Sequence, residues 1–520
     1  MEGLLLISFT FSSFLVFFIA FGTFYLLWWK PKSLEKQLKQ LGIKGTSYRF
    51  LFGDMRDYAR YSKVASSKSM DVCHRIVPRV LPFVKEMVKT YGKVAFYWHG
   101  TMPTLVIMDP KLMKEVLNNK FDHIQKPPKN PHARILTKGL STMDGKKWAK
   151  HRKLITPAFH TERLKEMLPA FVTSSNELIL QWKKRIGPDG SCEFNAWPDI
   201  QNFVANIISR TVFGTSSEEG KKIFQLQNEQ SILVNEAVQS LYLPGFRFIP
   251  TKKNKRRLKL EKEIVGKLKD VIKTKISTMG KISTMGTQAN DLLGMLLQHN
   301  YKRSGRADDE GLTIDEVIEE CKLFYFAGKD PSANSLTWAI ILLAMHPNWQ
   351  EKAREEVLHI CGKNSPTLEN LNQFKIVTMI LYEVLRLYPA SVRQFRYTVK
   401  KTKIGDMTIP GGVQLMLPSL LIHHDWEIWG EDAEEFKPER FSGGISKSSK
   451  EQVAFFPFGW GQRICPGQDF AMIEAKMALA MILQSFSFQL SPSYVHAPHS
   501  VITLQPQYGA PIILTCAMSP

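Results

Sequence analysis

The first residues of the chain constrain its architecture most, because the stretch from Gly3 to Trp29 contains no charged side chain. As an α-helix this stretch would be about 40 Å long at 1.5 Å per residue, which is enough to cross a bilayer with some tilt. A cleaved signal peptide begins with basic residues and ends in small ones, whereas Glu2 precedes this run and two tryptophans close it. We therefore predict an uncleaved transmembrane helix over residues 1–29.

The residues after this helix indicate on which side of the membrane the rest of the chain lies. Lysines follow at once, at Lys30, Lys32 and Lys36, and basic residues next to a membrane helix tend to stay in the cytosol. No later stretch is long and uncharged enough to span a bilayer. We expect a single-pass anchor, a basic linker over residues 30–50 and a large cytosolic domain over residues 51–520.

Composition restricts the class of this domain but not its partner. The 520 residues carry a formal net charge of +21, which favours an anionic membrane surface, a nucleic acid or an acidic protein as partner without choosing among them. The six cysteines are widely scattered, with no CxxC pair and no close Cys/His spacing. This pattern argues against a disulfide scaffold and a zinc site, and for a reducing compartment.

Helical periodicity dominates the large domain, and only short segments alternate as strands do. The longest helical pattern runs from Thr313 to His346 and opens with a capping box formed by Thr313 and Glu316. Apolar residues surround it on most sides, which predicts burial through the core. Short strands are expected over Val94–His99, Thr104–Met108, Met407–Ile409, Val413–Leu417, Val501–Leu504 and Pro511–Thr515. The sequence thus predicts a mainly α fold with small β-sheets (α+β).

The middle of this long helix carries residues that oppose a regular helix. The run Ala327-Gly328-Lys329-Asp330-Pro331-Ser332 combines a glycine and a proline with an acid. Proline lacks the backbone donor of the helix, so we expect the helix to open beside Ala327. A buried, opened helix that presents an acid is typical of a functional site, although a purely structural kink has the same pattern.

A glycine-interrupted loop from Phe458 to Gly467 carries the residue with the most distinctive chemistry, Cys465. A helical pattern of apolar residues follows from Asp469, which places the cysteine just before a helix N-terminus. The positive end of the helix dipole and the nearby Arg463 favour the thiolate, which is the form that binds metal ions. A lone cysteine is more often a small buried hydrophobe, so the loop by itself leaves both interpretations open.

Charged residues also occur within apolar helical patterns. Glu383 and Arg386 stand three residues apart in an otherwise apolar segment. Because an unpaired buried charge is very costly, we expect these two side chains to be buried and paired. Trp148 and Arg152 share one face of another predicted helix, a pattern that by itself usually means surface packing.

Taken together, these residues resemble the cytochrome P-450 superfamily of haem-thiolate monooxygenases, and the resemblance covers essentially everything after the anchor. The loop from Phe458 to Gly467 is similar to the family's F-x-x-G-x-R-x-C-x-G signature. The other matched residues carry a charge or an indole: Glu383 and Arg386 in E-x-x-R, Arg440 in P-E-R-F, Trp148 and Arg152 in W-x-x-x-R, and Arg396. The joint occurrence of these matches by chance is negligible.

The resemblance implies a cytochrome P450 fold and a role for each matched residue. Cys465 would be the axial ligand of the iron. The haem and its propionates would be held by six residues: Trp148, Arg152, Arg396, Phe458, Arg463 and Gly467. The remaining charges would form a buried ionic cluster that stabilises the haem-side core: Glu383, Arg386 and Arg440.

On the other side of the haem, the resemblance implies that the long helix presents four residues to oxygen: Ala327, Gly328, Asp330 and Ser332. The family usually reads A-G-x-(D/E)-T-(T/S) here, but Pro331 occupies the usual threonine position, and proline can neither donate nor relay a proton. Three interpretations compete: Ser332 and water deliver protons, a substrate hydroxyl does so, or the enzyme performs peroxide- or isomerase-type chemistry without such delivery. We favour the first two together, because the cysteine loop lacks the insertion of isomerase-like members.

Several segments look more closely like the plant family numbered seventy-two: Trp349 to Val357, Val377 to Arg386 and Ser493 to His499. Members oxidise terpenoids, so the resemblance implies a monooxygenase that inserts one oxygen atom from O2 into a terpenoid, with a triterpenoid ahead of an iridoid or gibberellin. It also implies haem b, electrons from NADPH through NADPH-cytochrome P450 reductase, a small apolar substrate, membrane lipid as partner and no nucleic acid.

The same resemblance implies an endoplasmic reticulum membrane as the location, with the catalytic domain in the cytosol. Two alternatives to the monooxygenase remain. One is a haem-thiolate isomerase or C–C-cleaving enzyme that exploits the threonine-less site at Pro331, and the other is a non-catalytic haem protein.

Overall fold

The computed structural model describes residues 2–118, 123–128, 130–136, 138–214, 217–239, 248–282, 291–301 and 311–517. Its helices are α1 (Glu2–Phe24), α2 (Lys30–Gln40), α3 (Met55–Ser66), α4 (Val77–Val80), α5 (Pro82–Tyr91), α6 (Pro110–Leu117), α7 (Ala133–Leu136), α8 (Gly145–Ile155), α9 (Thr161–Lys183), α10 (Ala196–Ile208), α11 (Ser217–Gln239), α12 (Lys252–Ile282), α13 (Leu292–Tyr301), α14 (Ile314–Met345), α15 (Pro347–Cys361), α16 (Leu368–Gln373), α17 (Ile376–Leu387), α18 (Ser419–His423), α19 (Trp426–Trp429) and α20 (Gln468–Ser485).

The strands are short: β1 (Lys44–Gly45), β2 (Val94–His99), β3 (Met102–Ile107), β4 (Ile124–Gln125), β5 (Ser191–Asn195), β6 (Gln394–Thr398), β7 (Thr402–Ile404), β8 (Met407–Ile409), β9 (Gln414–Leu417), β10 (Phe486–Leu490), β11 (Pro498–Ser500), β12 (Leu504–Pro506) and β13 (Pro511–Cys516). Helices therefore dominate the part of the chain that the structure describes. The predicted mainly α class with small sheets is confirmed.

The apolar N-terminal stretch is helical, as predicted. Helix α1, a π-helical turn over Tyr25–Trp29 and α2 follow one another without a break. The helix from Ile7 to Gln40 is 34 residues long, and its most apolar window has a mean hydropathy of 1.9 with no buried residue. Within the described ranges it is the one helix that is long and apolar enough to cross a membrane.

The basic segment after the anchor is more ordered than the expected linker over residues 30–50. Helix α2 buries one apolar face, made of Pro31, Leu34 and Leu38, whose spacing of three and four residues is that of an amphipathic helix. The Tyr48 hydroxyl donates to the Leu27 carbonyl at 2.5 Å, and the Tyr48 ring packs against Trp28. These contacts hold the end of the apolar helix against the residues that follow it.

The first of two compact units comprises Met1–Lys68, Val77–Pro127 and Arg393–Pro418. Its main sheet has six strands in the order β1-β2-β3-β9-β6-β4. Strands β2 and β3 form an antiparallel hairpin with Val94 opposite Ile107, which agrees with the strands expected within residues 94–108. Strand β9 joins β3 in parallel and β6 in antiparallel.

The second unit comprises Ser69–Ile76, Pro128–Val392 and Ser419–Pro520. Its central helix is α14, which is 32 residues long and begins with the predicted capping box of Thr313 and Glu316. Helix α20 packs against α9, α14, α15 and α17, and a three-stranded sheet in the order β10-β13-β5 follows it. Two helices, α14 and α20, bring the residues of the candidate site together in this unit.

Candidate active site

The loop that carries Cys465 folds back on itself before α20 begins. The Cys465 N–H donates to the Phe458 carbonyl at 2.9 Å. Gly459 and Gly461 have φ angles of 79° and 69°, in the left-handed region that glycine adopts readily because it has no Cβ. The loop then enters α20 through its N-cap residue, Gly467. The prediction that the cysteine lies just before a helix N-terminus is confirmed.

The Cys465 thiol combines accessibility with a desolvated environment. The residue is exposed, yet burial by the surrounding protein is the largest influence on its thiol and raises its pKa. Both observations are met when free space adjoins the sulfur inside the protein. The Gly467 N–H and the charge of Arg152 act in the opposite direction and favour the thiolate.

Burial therefore opposes the predicted preference of this thiol for the thiolate form. Burial outweighs the groups that favour the thiolate, and the cation that acts on the sulfur is Arg152 rather than the predicted Arg463. A metal ion bound to the sulfur would reverse the balance, because a coordinating thiol is deprotonated outright. The site fits a soft thiolate ligand that forms when the metal binds.

Side chains from α8 lie against the same loop. Arg152 donates from Nη1 to the loop carbonyl next to Cys465 at 2.7 Å. The Arg463 guanidinium lies over the Trp148 ring, 4.6 Å from its centroid, and donates to the Asp144 carboxylate at 2.6 Å. Two guanidinium groups and an indole thus meet beside the cysteine, although α8 and the loop are far apart in the sequence. Such a group of donors fits the carboxylates of a cofactor.

Helix α14 adjoins free space at its middle. Ala327 is exposed and residues 328–332 are partly exposed, whereas most of the flanking helix is buried. The helix continues through Pro331, so the expected opening of the backbone is wrong. Because proline has no N–H, the Ala327 carbonyl still lacks its helical donor. A Cβ on Gly328 would lie 2.8 Å from Cδ1 of Ile208, which makes glycine the residue that fits here without moving Ile208.

The acid and the hydroxyl predicted to act from α14 have different neighbours. Asp330 Oδ1 lies 3.4 Å from Lys329 Nζ, and that ammonium group lies 5.7 Å from the centroid of the Phe224 ring. The Ser332 hydroxyl lies beside the Glu474 carboxyl of α20 and favours its charged form, against a larger opposing effect of burial. Helix α14 therefore presents a partly exposed acid, Asp330, and a hydroxyl, Ser332, that faces the buried acid Glu474.

The charges expected to form an ionic cluster lie next to one another. Arg386 donates from Nε and Nη2 to the two oxygens of Glu383 at 2.7 and 2.8 Å, and both residues are fully buried. Arg440 approaches Glu383 at 3.5 Å and Asp432 at 2.7 Å. Arg386 directs its other N–H groups to the carbonyls of His423, Ala433 and Glu435. The cluster ties α17 to the segment that precedes the cysteine loop.

Arg396 is the one matched residue that belongs to the first unit. It lies on β6, is 4% exposed, and donates from Nη1 to the Phe395 carbonyl at 2.9 Å. The other matched residues lie in the second unit. The role of Arg396 towards a propionate stays a prediction.

The sequence interpretation missed two buried groups of the second unit. Glu474 is 2% exposed, and its signal is an acid on the apolar face of α20, four residues after Phe470 and three before Met477. His151 is fully buried between Trp148 and Arg152, and its Nδ1 lies 2.6 Å from Glu320 Oε1 on α14. The His151 contact joins α8 to α14 and has no local signature, because the two residues are distant in the sequence.

Comparison with known proteins agrees with this geometry. The sequence model of the cytochrome P450 family matches residues 79–508. The chain is 51% identical over 491 residues to cytochrome P450 CYP72A616 of Paris polyphylla, with 94% of each chain covered. It is 48% identical over 503 residues to CYP72A219 of Panax ginseng, with 96% of each covered, and 46% identical over 489 residues to 72A15 of Arabidopsis thaliana, with 94% of each covered.

These similarities confirm the predicted fold, enzyme class and cofactor. Members of the family are oxidoreductases that use haem b and receive electrons from NADPH through a reductase, and they act on small hydrophobic substrates. The apolar helix at the N-terminus agrees with anchoring to a membrane. The chain belongs to the cytochrome P450 family, as a membrane-anchored plant monooxygenase of family 72.

Proposed function

We propose that Cys465 is the axial ligand of the haem iron. The observation that carries this proposal is a thiol in a desolvated part of the protein that nevertheless adjoins free space. Two arginines also meet this loop, since Arg152 binds the Ile464 carbonyl and Arg463 lies over Trp148. When bound, haem supplies an iron at which dioxygen is reduced, and the thiolate favours O–O cleavage.

The residues around the thiol would hold the porphyrin. Arg152 and Arg463 would bind the propionates by charge-assisted bonds, with Trp148 beside them, and Arg396 would contribute a further guanidinium. Arg463 is balanced by Asp144 at 2.6 Å, so a propionate would share or replace that carboxylate. Phe458 and Gly467 would shape the loop against the porphyrin face. The cluster of Glu383, Arg386 and Arg440 would stabilise the segment that precedes this loop.

Four residues of α14 would handle oxygen and protons on the other side. The Ala327 carbonyl, which Pro331 leaves without its helical donor, is a free acceptor that can hold a water molecule. Gly328 leaves the adjoining space free of a side chain. Asp330 is partly exposed and paired with Lys329, so it links this part of α14 to solvent. Ser332 would supply the hydroxyl that the usual threonine provides.

We further propose a terpenoid as substrate, with a triterpenoid ahead of an iridoid or gibberellin. The resemblance to family 72 supports this class. The helix turn before Ala327 also has an apolar environment. The Tyr325 and Phe213 rings stack with their centroids 3.9 Å apart, and the Phe324 and Phe159 ring centroids are 6.0 Å apart. Such an environment suits a large hydrocarbon skeleton better than a polar metabolite.

We propose NADPH-cytochrome P450 reductase as the redox partner and the endoplasmic reticulum membrane as the location. The net charge of +21 suits an acidic flavin domain. The lysines after the apolar helix favour a cytosolic catalytic domain over residues 51–520, with the anchor over residues 1–29. A single-pass anchor of this kind would keep enzyme and reductase on the same membrane.

One set of spectra and one labelling experiment test the proposed function. The reduced, carbon monoxide-bound protein should show the strongly red-shifted Soret band of thiolate ligation, and Cys465→Ala should abolish it. Cys361→Ala is the matched control, because Cys361 is a free buried cysteine on α15 and should leave the band in place. Retention of the band in Cys465→Ala would overturn the ligand assignment.

The labelling experiment uses triterpenoids, reductase, NADPH and labelled dioxygen. One labelled oxygen atom should appear in the product, and no product should form without reductase. A product without label, or one formed without reductase, would favour the isomerase or C–C-cleaving alternative. Absence of turnover of every terpenoid offered would overturn the substrate class.

A further inference from the structure

Glu474 is a buried acid whose carboxyl group faces the Ser332 hydroxyl and has no charged partner in the described part of the structure. It lies on α20, is 2% exposed, and neither carboxylate oxygen takes part in a hydrogen bond of normal geometry. Buried acids elsewhere in the unit are satisfied: Glu383 by Arg386, and Glu320 by His151 and the Leu140 N–H. An unsatisfied buried acid is costly, so its presence needs a reason other than stability.

The polar group that faces this carboxyl is the hydroxyl of Ser332 on α14. It favours the charged form of Glu474, but burial dominates and raises the pKa of the carboxyl to about 8. Charged groups on the neighbouring elements have partners elsewhere and do not contribute: Arg354 on α15 binds the Leu483 and Phe486 carbonyls, Glu383 and Arg386 on α17 bind each other, and Asp330 on α14 pairs with Lys329. Glu474 therefore holds its proton at neutral pH.

The location of Ser332 gives this stored proton a use. Ser332 is partly exposed, next to the free space that adjoins Ala327, and its hydroxyl both accepts and donates. Pro331, the residue before it, can do neither. Monooxygenation consumes two protons for each dioxygen, since one oxygen atom leaves as water. A chain that lacks the usual threonine therefore needs another hydroxyl and another acid behind it.

We propose that Glu474 is a positioning residue that stores a proton and supplies it through Ser332 to the space beside Ala327. The O–H bond of the Glu474 carboxyl breaks as the Ser332 oxygen gains that proton, and Ser332 releases its own hydroxyl proton towards the free space. The Glu474 carboxylate then regains a proton from solvent hydronium by transfer back through Ser332, and no electrons move in these steps. This inference rests on the proposed role of Ser332 in the monooxygenase.

The first test is independent of turnover. Infrared difference spectra of the full-length protein at neutral pH should show the carbonyl stretch of a protonated carboxylic acid in the wild type and lose it in Glu474→Gln. The band should shift in Ser332→Ala, which removes its polar neighbour, and stay unchanged in Ser335→Ala, a control hydroxyl one turn further along α14. A spectrum without this band in the wild type, or a band insensitive to Ser332→Ala, would overturn the proposal.

The second test uses the reconstituted enzyme with reductase. Glu474→Gln should lower the ratio of product formed to NADPH consumed by roughly tenfold or more, since general acid groups contribute about 10²–10⁴-fold. It should also enlarge the solvent deuterium isotope effect, and Glu474→Asp, which keeps an acid, should recover part of the ratio. If Glu474 had a purely structural role, the isotope effect would stay unchanged in Glu474→Gln, and Glu474→Asp would not recover the ratio.

The two proposals fail in different ways. If the Soret band and substrate binding of Glu474→Gln match the wild type while the product ratio is also unchanged, the proton role is wrong and the proposed function stands. If the wild type itself lacks the thiolate band, the proposed function is wrong. Should Glu474→Gln not retain haem, Glu474→Asp and Ser332→Ala carry the same measurements, and an unchanged isotope effect in both overturns the inference.

Discussion

Replacement of Arg386 by lysine tests how much of the core depends on the shape of a guanidinium rather than on its charge. In the structure Arg386 makes five hydrogen bonds, two to Glu383 and three to backbone carbonyls. Five is the full number of donors of a guanidinium group, whereas an ammonium group has three. Arg386→Lys keeps the positive charge next to Glu383 but loses at least two of the five bonds.

The expected loss follows from these bonds. Hydrogen bonds to charged groups contribute about 1.5–3 kcal/mol each, so losing two costs about 3–6 kcal/mol. Arg386 and Glu383 are fully buried, so water does not replace the lost donors. This loss is comparable to the lower part of the usual stability of about 5–15 kcal/mol. We therefore expect Arg386→Lys to express poorly and to retain little haem.

The assay is urea unfolding of the full-length protein in detergent, followed by circular dichroism and by the Soret band. Arg185→Lys is the control, because Arg185 also grips a carboxylate with two bonds, to Asp199 at 2.5 and 3.1 Å, but its side chain is 36% exposed. That exposed pair should cost less than about 1 kcal/mol when changed. If Arg386→Lys loses no more stability than Arg185→Lys, the five guanidinium hydrogen bonds of Arg386 do not stabilise the cluster as argued.

Three further predictions concern Pro331, Glu474 and His74. Pro331→Thr should restore the bond to the Ala327 carbonyl and raise the free energy of unfolding by about 2–3 kcal/mol, and it should improve the ratio of product to NADPH by adding a second hydroxyl beside Ser332; an unchanged or lower ratio would contradict this prediction and show that the route through Ser332 is sufficient by itself. Folding raises the pKa of Glu474 from 4.5 to about 8. Its contribution to the free energy of unfolding is therefore fully present below pH about 4.5 and is lost as the pH rises through about 8. The difference is up to about 5 kcal/mol, at 1.36 kcal/mol per pKa unit. Glu474→Gln should remove this part of the pH dependence in urea unfolding, and equal slopes for variant and wild type would contradict it. Burial lowers the pKa of His74 to about 3, so its contribution is present above pH about 6.5 and is lost as pH falls towards 3; His74→Phe should reduce the acid-side loss of stability, measured in the same titration.

The parts of the site that could be predicted are those in which spacing along the chain decides the contact. Glu383 and Arg386 are three residues apart in an apolar helix, so one turn brings the two charges together. Thr313 and Glu316 form a capping box for the same reason. The glycines of the cysteine loop adopt left-handed backbone conformations that glycine readily allows.

Other features depended on how helices pack, and spacing did not predict them. Arg152, not Arg463, is the cation that acts on Cys465. Helix α14 continues through Pro331 although proline removes one backbone hydrogen bond, because the helix turns before and after this segment are buried in the core. The segment after the anchor is partly a packed helix, because Pro31, Leu34 and Leu38 find a surface to cover.

The sequence by itself determined the anchor, the mainly helical fold, the family and the residues that match its motifs, because each of these is written in local composition or spacing. Only the tertiary structure decided that Cys465 is exposed although its thiol is desolvated, that Arg152 binds the cysteine loop while Arg463 lies over Trp148, and that the buried Glu474 faces Ser332. Those relations join residues of different helices, and the desolvation that raises the pKa of Glu474 arises from packing on every side of it. No pattern within a single segment carries that information.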